Sequence, residues 1–218
     1  MRNQNTPVAL EGIPFLAAAG SATLVLILLA GRFPLLAVPA VVALVLTLFI
    51  AFFFRNPQRV TPADERSVVA PADGVVIYCG PAREEYSGEE MLKISIFMSV
   101  FNVHINRVPV TGRVADTFYR SGKFLDVRDE RATFENERLG MVLDTVAGAR
   151  LVVVQVAGLI ARRIVCYAKE GDSLRRGERY GLIRFGSRLD VYLPPATELK
   201  VALGNKTVAG ETVLGILA

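Results

Sequence analysis

The sequence of 218 residues has no tryptophan, one histidine and two cysteines. A single His excludes a histidine-rich metal centre. Cys79 and Cys166 alone build neither a structural zinc site nor a disulfide framework, so no metal is expected. We read them as buried free thiols of a reducing compartment. Low-complexity tracts are missing, which excludes collagen-like and linker chains. No dense basic stripe stands out of the 25 basic and 21 acidic residues, which argues against a dedicated nucleic-acid binder.

Charge is scarcest in residues 1–54, where Arg2, Glu11 and Arg32 are the only charged side chains. Ile13–Ala30 is an uncharged apolar run of 18 residues and Leu35–Phe54 one of 20. A helix of 20 residues spans about 30 Å, one bilayer core. Gly31-Arg32-Phe33-Pro34 breaks the two runs like a turn. The segment 1–54 therefore reads as a membrane-anchoring helical hairpin, or as one spanning helix behind an interfacial one. Arg2 and Ala17-Ala18-Ala19 also suit a cleaved signal peptide, but the second run follows at once and would remain as an anchor. Arg55, Arg59 and Arg66 then set the downstream domain on the cytoplasmic side of the cell membrane.

Residues 55–218 have the composition of a soluble domain and read as mainly β. Strand character shows in Val75–Cys79, Leu92–Met98, Met141–Leu143, Leu151–Val156, Tyr180–Ile183 and Leu189–Leu193. Lys93 and Ser95 alternate with Leu92, Ile94 and Ile96, a period of two. The charged stretch Asp126–Glu137 reads as a loop or short helix. Gly171–Glu178 is echoed by Gly204–Glu211; each is a tight turn leading into a strand, and hairpin chemistry alone accounts for the likeness. The expectation is one barrel- or sandwich-like domain of short antiparallel strands.

Three residues invite chemistry. Gly186-Ser187 lies between two strand-like runs, where the ordinary reading is a turn or bulge with a solvated Ser. The special capability of a Gly-Ser pair is attack of the hydroxyl on the preceding carbonyl, which Gly hinders least. The amide becomes an ester, and β-elimination then leaves a dehydroalanine that hydrolyses to a pyruvoyl group. Asp73, in Pro71-Ala72-Asp73-Gly74, is either a hairpin-turn residue or a carboxylate that orients an imidazole. His104 is either a hydrogen-bonded strand residue or the general base, the one imidazole the chain has.

The apolar hairpin, Phe53-Phe54-Arg55-Asn56-Pro57, Pro71-Ala72-Asp73-Gly74, Phe97–His104 and Arg184-Phe185-Gly186-Ser187-Arg188 together resemble the short bacterial and archaeal form of the phosphatidylserine decarboxylases, over nearly the whole chain. The resemblance implies a proenzyme that cuts itself between Gly186 and Ser187 into chains 1–186 and 187–218. These would remain together as a heterodimer; a homo-oligomer is left open. It implies a triad of Asp73, His104 and Ser187 for the cut. It implies a covalent pyruvoyl cofactor made from Ser187, which takes the amine of membrane phosphatidylserine as a Schiff base and yields phosphatidylethanolamine and CO₂. Longer family members have Leu or Gly where Phe185 stands, Ser or Thr where Arg188 stands, and a second His where Arg107 stands. Two other readings of the residues are a non-catalytic membrane-anchored carrier or adaptor module, and a serine peptidase using Ser187, His104 and Asp73.

Overall fold

A computed structural model describes residues 4–159, 163–184 and 186–218. It divides into two compact units, one of Asn5–Gln58 and one built on Arg59–Ala218.

The first unit is a helical hairpin of α1 (Ile13–Ala30) and α2 (Ala37–Phe53). Leu10–Ala30 and Pro34–Phe53 have mean hydropathies of 2.2 and 2.8 and are long enough to cross a bilayer. Their apolar side chains mostly face outward, Leu28 and Val38 among them, so these are not core helices of a soluble fold. The Thr23 and Thr47 hydroxyls meet at 2.9 Å between the helices. At the open end the chain crosses itself. The Ala9 amide donates to the Phe54 carbonyl at 2.9 Å, and the buried Asn56 side chain donates to the Thr6 carbonyl at 2.7 Å. Gly12 has no room for a side chain there, because a Cβ would lie 2.4 Å from the Phe54 ring.

Among the described residues the regular elements of the second unit are strands except for α3 (Ala132–Glu135), the short helix expected within Asp126–Glu137. In chain order the first seven strands are β1 (Ser67–Val69), β2 (Gly74–Arg83), β3 (Glu90–Met98), β4 (Ile105–Arg107), β5 (Gly112–Arg120), β6 (Arg138–Thr145) and β7 (Arg150–Ala157). The next are β8 (Ile164–Cys166), β9 (Ser173–Leu174), β10 (Arg179–Ile183), β11 (Ser187–Leu193), β12 (Glu198–Leu199), β13 (Lys206–Thr207) and β14 (Val213–Ile216). They form one eight-stranded sheet of order β13-β2-β3-β11-β7-β6-β5-β9 and two three-stranded sheets, β1-β14-β12 and β4-β10-β8. Every pairing among these strands is antiparallel.

These orders are palindromic, and they reveal a duplication that the echo in the sequence only hinted at. The strands β1, β2, β3, β11, β12, β13, β14 follow the same path as β4, β5, β6, β7, β8, β9, β10. The glycines repeat with it. Gly171 and Gly177 flank β9, and Gly204 and Gly210 flank β13, all four with φ between 78° and 89°. A reciprocal pair of bonds joins the repeats, from the Val69 amide to the Pro109 carbonyl and from the Arg107 amide to the Pro71 carbonyl, both 2.9 Å. Hairpin chemistry alone is therefore too weak an account of the echo. The second repeat is inserted between the third and fourth strands of the first. The chain leaves the first repeat at Met98 and returns to it at Ser187, two residues that lie side by side in the sheet.

Period-two alternation sorts the sheet's side chains. Ile94, Ile96, Met98, Leu189, Val191 and Leu193 pack into the main core. The polar residues between them are also buried, contrary to a solvated outer face. Asp190 lies 2.8 Å from Arg188 and 3.4 Å from Lys93. Burial alone would raise the Asp190 carboxyl, but the two cations outweigh it and hold it below the usual carboxylate range. Cys79 and Cys166 are free and half-buried rather than fully buried, and burial pushes the Cys166 thiol up to about 11.

Candidate active site

The duplication explains how residues far apart in sequence come together. An uninterrupted repeat would close β3 onto β11 with a tight hairpin. Instead the departing segment, residues 99–104, leads from β3 to β4, and β10 precedes β11 in the chain; β4 and β10 are again neighbours, with Ile105 opposite Leu182. Ser187 begins β11 between Met98 of β3 and Ala157 of β7, with no exposed surface. A solvated turn serine is thereby ruled out. Its hydroxyl donates to the Met98 sulfur at 3.4 Å. A thioether is a weak acceptor, so this bond does little to tie the hydroxyl down.

Gly186 has φ of +67°, a backbone that a side chain disfavours. Its carbonyl oxygen is held against β7's exit, where a Cβ built on Gly158 would lie 2.4 Å from it. Gly158 is thus a site residue that composition and motif did not reveal. Replacing it by Ala must move the Gly186 carbonyl. We expect Gly158→Ala to slow any self-cleavage at this bond at least about tenfold, the effect of ~1.4 kcal/mol on a barrier, measured as loss of the intact band on a gel.

Two buried amides lead to the Met98 sulfur that Ser187 meets. Gln155 donates to the Asn106 side-chain oxygen at 2.8 Å, and the Asn106 amide points at the Met98 sulfur, 3.8 Å away. One signal was available in the sequence: Gln155 interrupts an otherwise apolar strand, Leu151–Val156.

His104 is buried just ahead of β4, and its Nδ1 lies 3.0 Å from the Asn102 carbonyl oxygen. Asp73 is engaged elsewhere. One of its carboxylate oxygens accepts from Arg59 at 2.8 Å and the other from the Ala209 amide at 2.8 Å. These contacts tie Asp73 to Arg59 and Ala209, while the Nδ1 contact of the imidazole is with the Asn102 carbonyl. In the second repeat the matching Thr111 hydroxyl accepts from the Arg176 amide at 3.2 Å, so a bracing side chain occupies this turn twice. Arg107 is buried and donates to the Gly177 carbonyl at 2.8 Å. Burial, then repulsion from Arg179 and Arg59, pulls it down to about 10, with Asp73 and Glu211 opposing. It stays a cation at neutral pH, so it cannot take the base role of an imidazole.

A cavity of about 280 Å³ opens beside Gly186, with Phe97, Val100, Val127, Arg128, Gly158 and Leu159 in its walls. Arg128 is held by Asp126 and lies 5.8 Å over the Phe97 ring.

The match to known proteins decides the family. Residues 46–215 fit the family model described as phosphatidylserine decarboxylase. The chain belongs to the phosphatidylserine decarboxylase family. It is 70% identical to a protein of Geobacter sulfurreducens over 217 residues and 71% identical to one of Geotalea uraniireducens, with full coverage of both chains in each case. A protein of Syntrophotalea carbinolica is 54% identical over 218 residues, again at full coverage. All three relatives are phosphatidylserine decarboxylase proenzymes by name. Membership of this family makes the chain a decarboxylase, a lyase of phospholipid metabolism.

Proposed function

We propose that the chain converts phosphatidylserine to phosphatidylethanolamine and CO₂, with a pyruvoyl group made from its own Ser187. The observation that carries this reading is the pairing of a buried, loosely held Ser187 hydroxyl with a Gly186 carbonyl in positive-φ backbone. The Oγ attacks the Gly186 carbonyl carbon; a C–O bond forms, the C–N bond breaks, and the hydroxyl proton passes by way of His104 to the released amine. Loss of the α-proton then breaks the Oγ–Cβ bond. This frees residues 1–186 with a carboxylate end and leaves a dehydroalanine at 187. Water displaces its nitrogen as ammonia and leaves the ketone. The buried Ser187, the crowded Gly186 carbonyl and the adjoining cavity all fit such a group. A pyruvoyl group supplies an electron sink for loss of CO₂ from an amine.

The protein's own residues supply the rest. The walls of the cavity beside Gly186 exclude water from the head group. His104 holds the proton delivered to the carbon that loses CO₂. Asp73 acts through the turn it braces and through Arg59. The hairpin keeps the chain on the bilayer that holds its substrate, with Arg55, Arg59 and Arg66 favouring the cytoplasmic side. The two fragments stay paired, since β11 has a neighbour on each side. The carrier and peptidase readings find no observation in their favour.

The direct test is a gel of the purified full chain beside an assay of CO₂ from phosphatidylserine. Two fragments and CO₂ are expected; a single band at 23.7 kDa with no CO₂ would sink the proposal. Substituting His104 by Ala should slow maturation at least about a hundredfold, the usual weight of one general base. Rapid cutting of that variant would move the base role elsewhere.

A further inference from the structure

The cavity beside Gly186 holds about 280 Å³, just under the usual size of pockets for small molecules, roughly 300–1,000 Å³. It has room for a lipid head group but not for two acyl chains as well. With a phospholipid as substrate, the chains must stay in the bilayer while the head group enters. The bilayer surface must then come to the mouth of this cavity, and the mouth has an apolar lip.

One side of the lip is the turn 99–102. Asn102 locks it: the Asn102 amide donates to the Ser99 carbonyl at 3.0 Å, and the Ser99 amide and hydroxyl both donate to Asn102 Oδ1 at 2.8 Å. The two residues at its tip are Val100 and Phe101. Turn tips favour Gly, Pro, Asn, Asp and Ser, yet here Phe101 is held 66% exposed. Leu159, in the wall of the same cavity, is 62% exposed. Val100 and Leu159 also line the cavity, so the exposed tips and the pocket wall belong to one continuous apolar surface. A soluble protein gains nothing from fixing a large apolar side chain in water on a rigid turn. The same turn carries the Asn102 carbonyl that meets His104 Nδ1, so the lip is tied directly to the site.

The geometry points to a membrane-docking lip. Val100, Phe101 and Leu159 enter the bilayer interface around the cavity mouth, so that the head group moves in sideways without its acyl chains leaving the lipid. This rests on the proposed substrate being a bilayer phospholipid, and it is separate from the anchor formed by the hairpin.

The lack of tryptophan makes the test clean. Phe101→Trp in the full chain, reconstituted into phosphatidylserine-containing vesicles, puts the sole indole at the lip. Its emission should shift to the blue, and lipids with brominated acyl chains should quench it. Emission as in water, or emission that is blue but untouched by bromolipids, would overturn the proposal; the latter would mark a contact between copies of the chain. The second measurement is kcat/KM of Phe101→Ser, a residue outside the cavity wall. With vesicle phosphatidylserine it should fall at least about threefold, part of the transfer free energy of one large side chain. With a short-chain phosphatidylserine dispersed as monomers it should change by less than about twofold, and self-cleavage should proceed as before. An equal fall on both substrates would assign Phe101 to the chemistry and overturn the lip. If the unaltered chain turns over neither substrate, it is the proposed function that fails, while the fluorescence result still stands or falls alone.

Discussion

Ser187→Ala should give a folded chain that is never cut and releases no CO₂ from phosphatidylserine. Both losses follow from one missing oxygen, which is the nucleophile for the Gly186 carbonyl and the leaving group of the later elimination. The fold should tolerate the change. The hydroxyl's bond is to the Met98 sulfur, and removing a small buried group with so weak a partner costs at most about 1–2 kcal/mol. Thermal unfolding should therefore stay near that of the uncut His104→Ala chain, so that lost activity cannot be blamed on lost structure. An uncut Ser187→Ala protein with activity would end the pyruvoyl reading. Ser187→Cys and Ser187→Thr form a graded series between these extremes, read as the rate at which the intact band disappears.

The second large effect concerns the fragment 187–218. Once residue 187 is a keto group it has no amine, so stepwise sequencing from its amino terminus should fail, while a control peptide reads normally. Borohydride added with phosphatidylserine should couple the lipid amine covalently to 187–218 and leave 1–186 unlabelled. Simple hydrolysis of the Gly186–Ser187 bond predicts the reverse, a readable Ser and no coupled lipid. Mass measurement of the fragment distinguishes the two independently, because conversion of Ser to a pyruvoyl group removes the nitrogen. Recovery of Ser from every copy in an active sample would overturn this account.

Much of the architecture was legible in the chain. Two runs without charge announced the hairpin, and period-two alternation in Leu92–Met98 announced the central strands. Alternation records which face a side chain takes; it does not say which strand lies next to which. The inserted repeat was therefore hidden, since its traces are a few glycines and prolines whose common role is visible only after pairing. Lys93 shows a related limit of alternation. A polar residue in an alternating strand normally faces water, but Asp190 and the residues around it bury this one. Ser187 and His104 could be singled out by chemistry alone. Asp73 could not be assigned that way, because the carboxylate that braces a turn and the one that orients an imidazole look alike until their partners are seen. Gly158 left no local mark at all; its need for a bare Cα arises from a carbonyl 28 residues further along the chain.

The inserted repeat also changes what the proposed cut means for the polypeptide. Ser187 is the residue at which the outer repeat resumes, so cleavage there passes between two structural units and through neither. The piece 187–218 would carry the last four strands of the outer repeat, while 1–186 would carry its first three and the whole inner repeat. The short piece lays β11 between β3 and β7 and β14 between β1 and β12, so to leave it would have to strip hydrogen bonds from two sheets at once. The junction is thus a seam already present in the design of the chain. A backbone opened along that seam gains a free end inside the core while every strand keeps its neighbours.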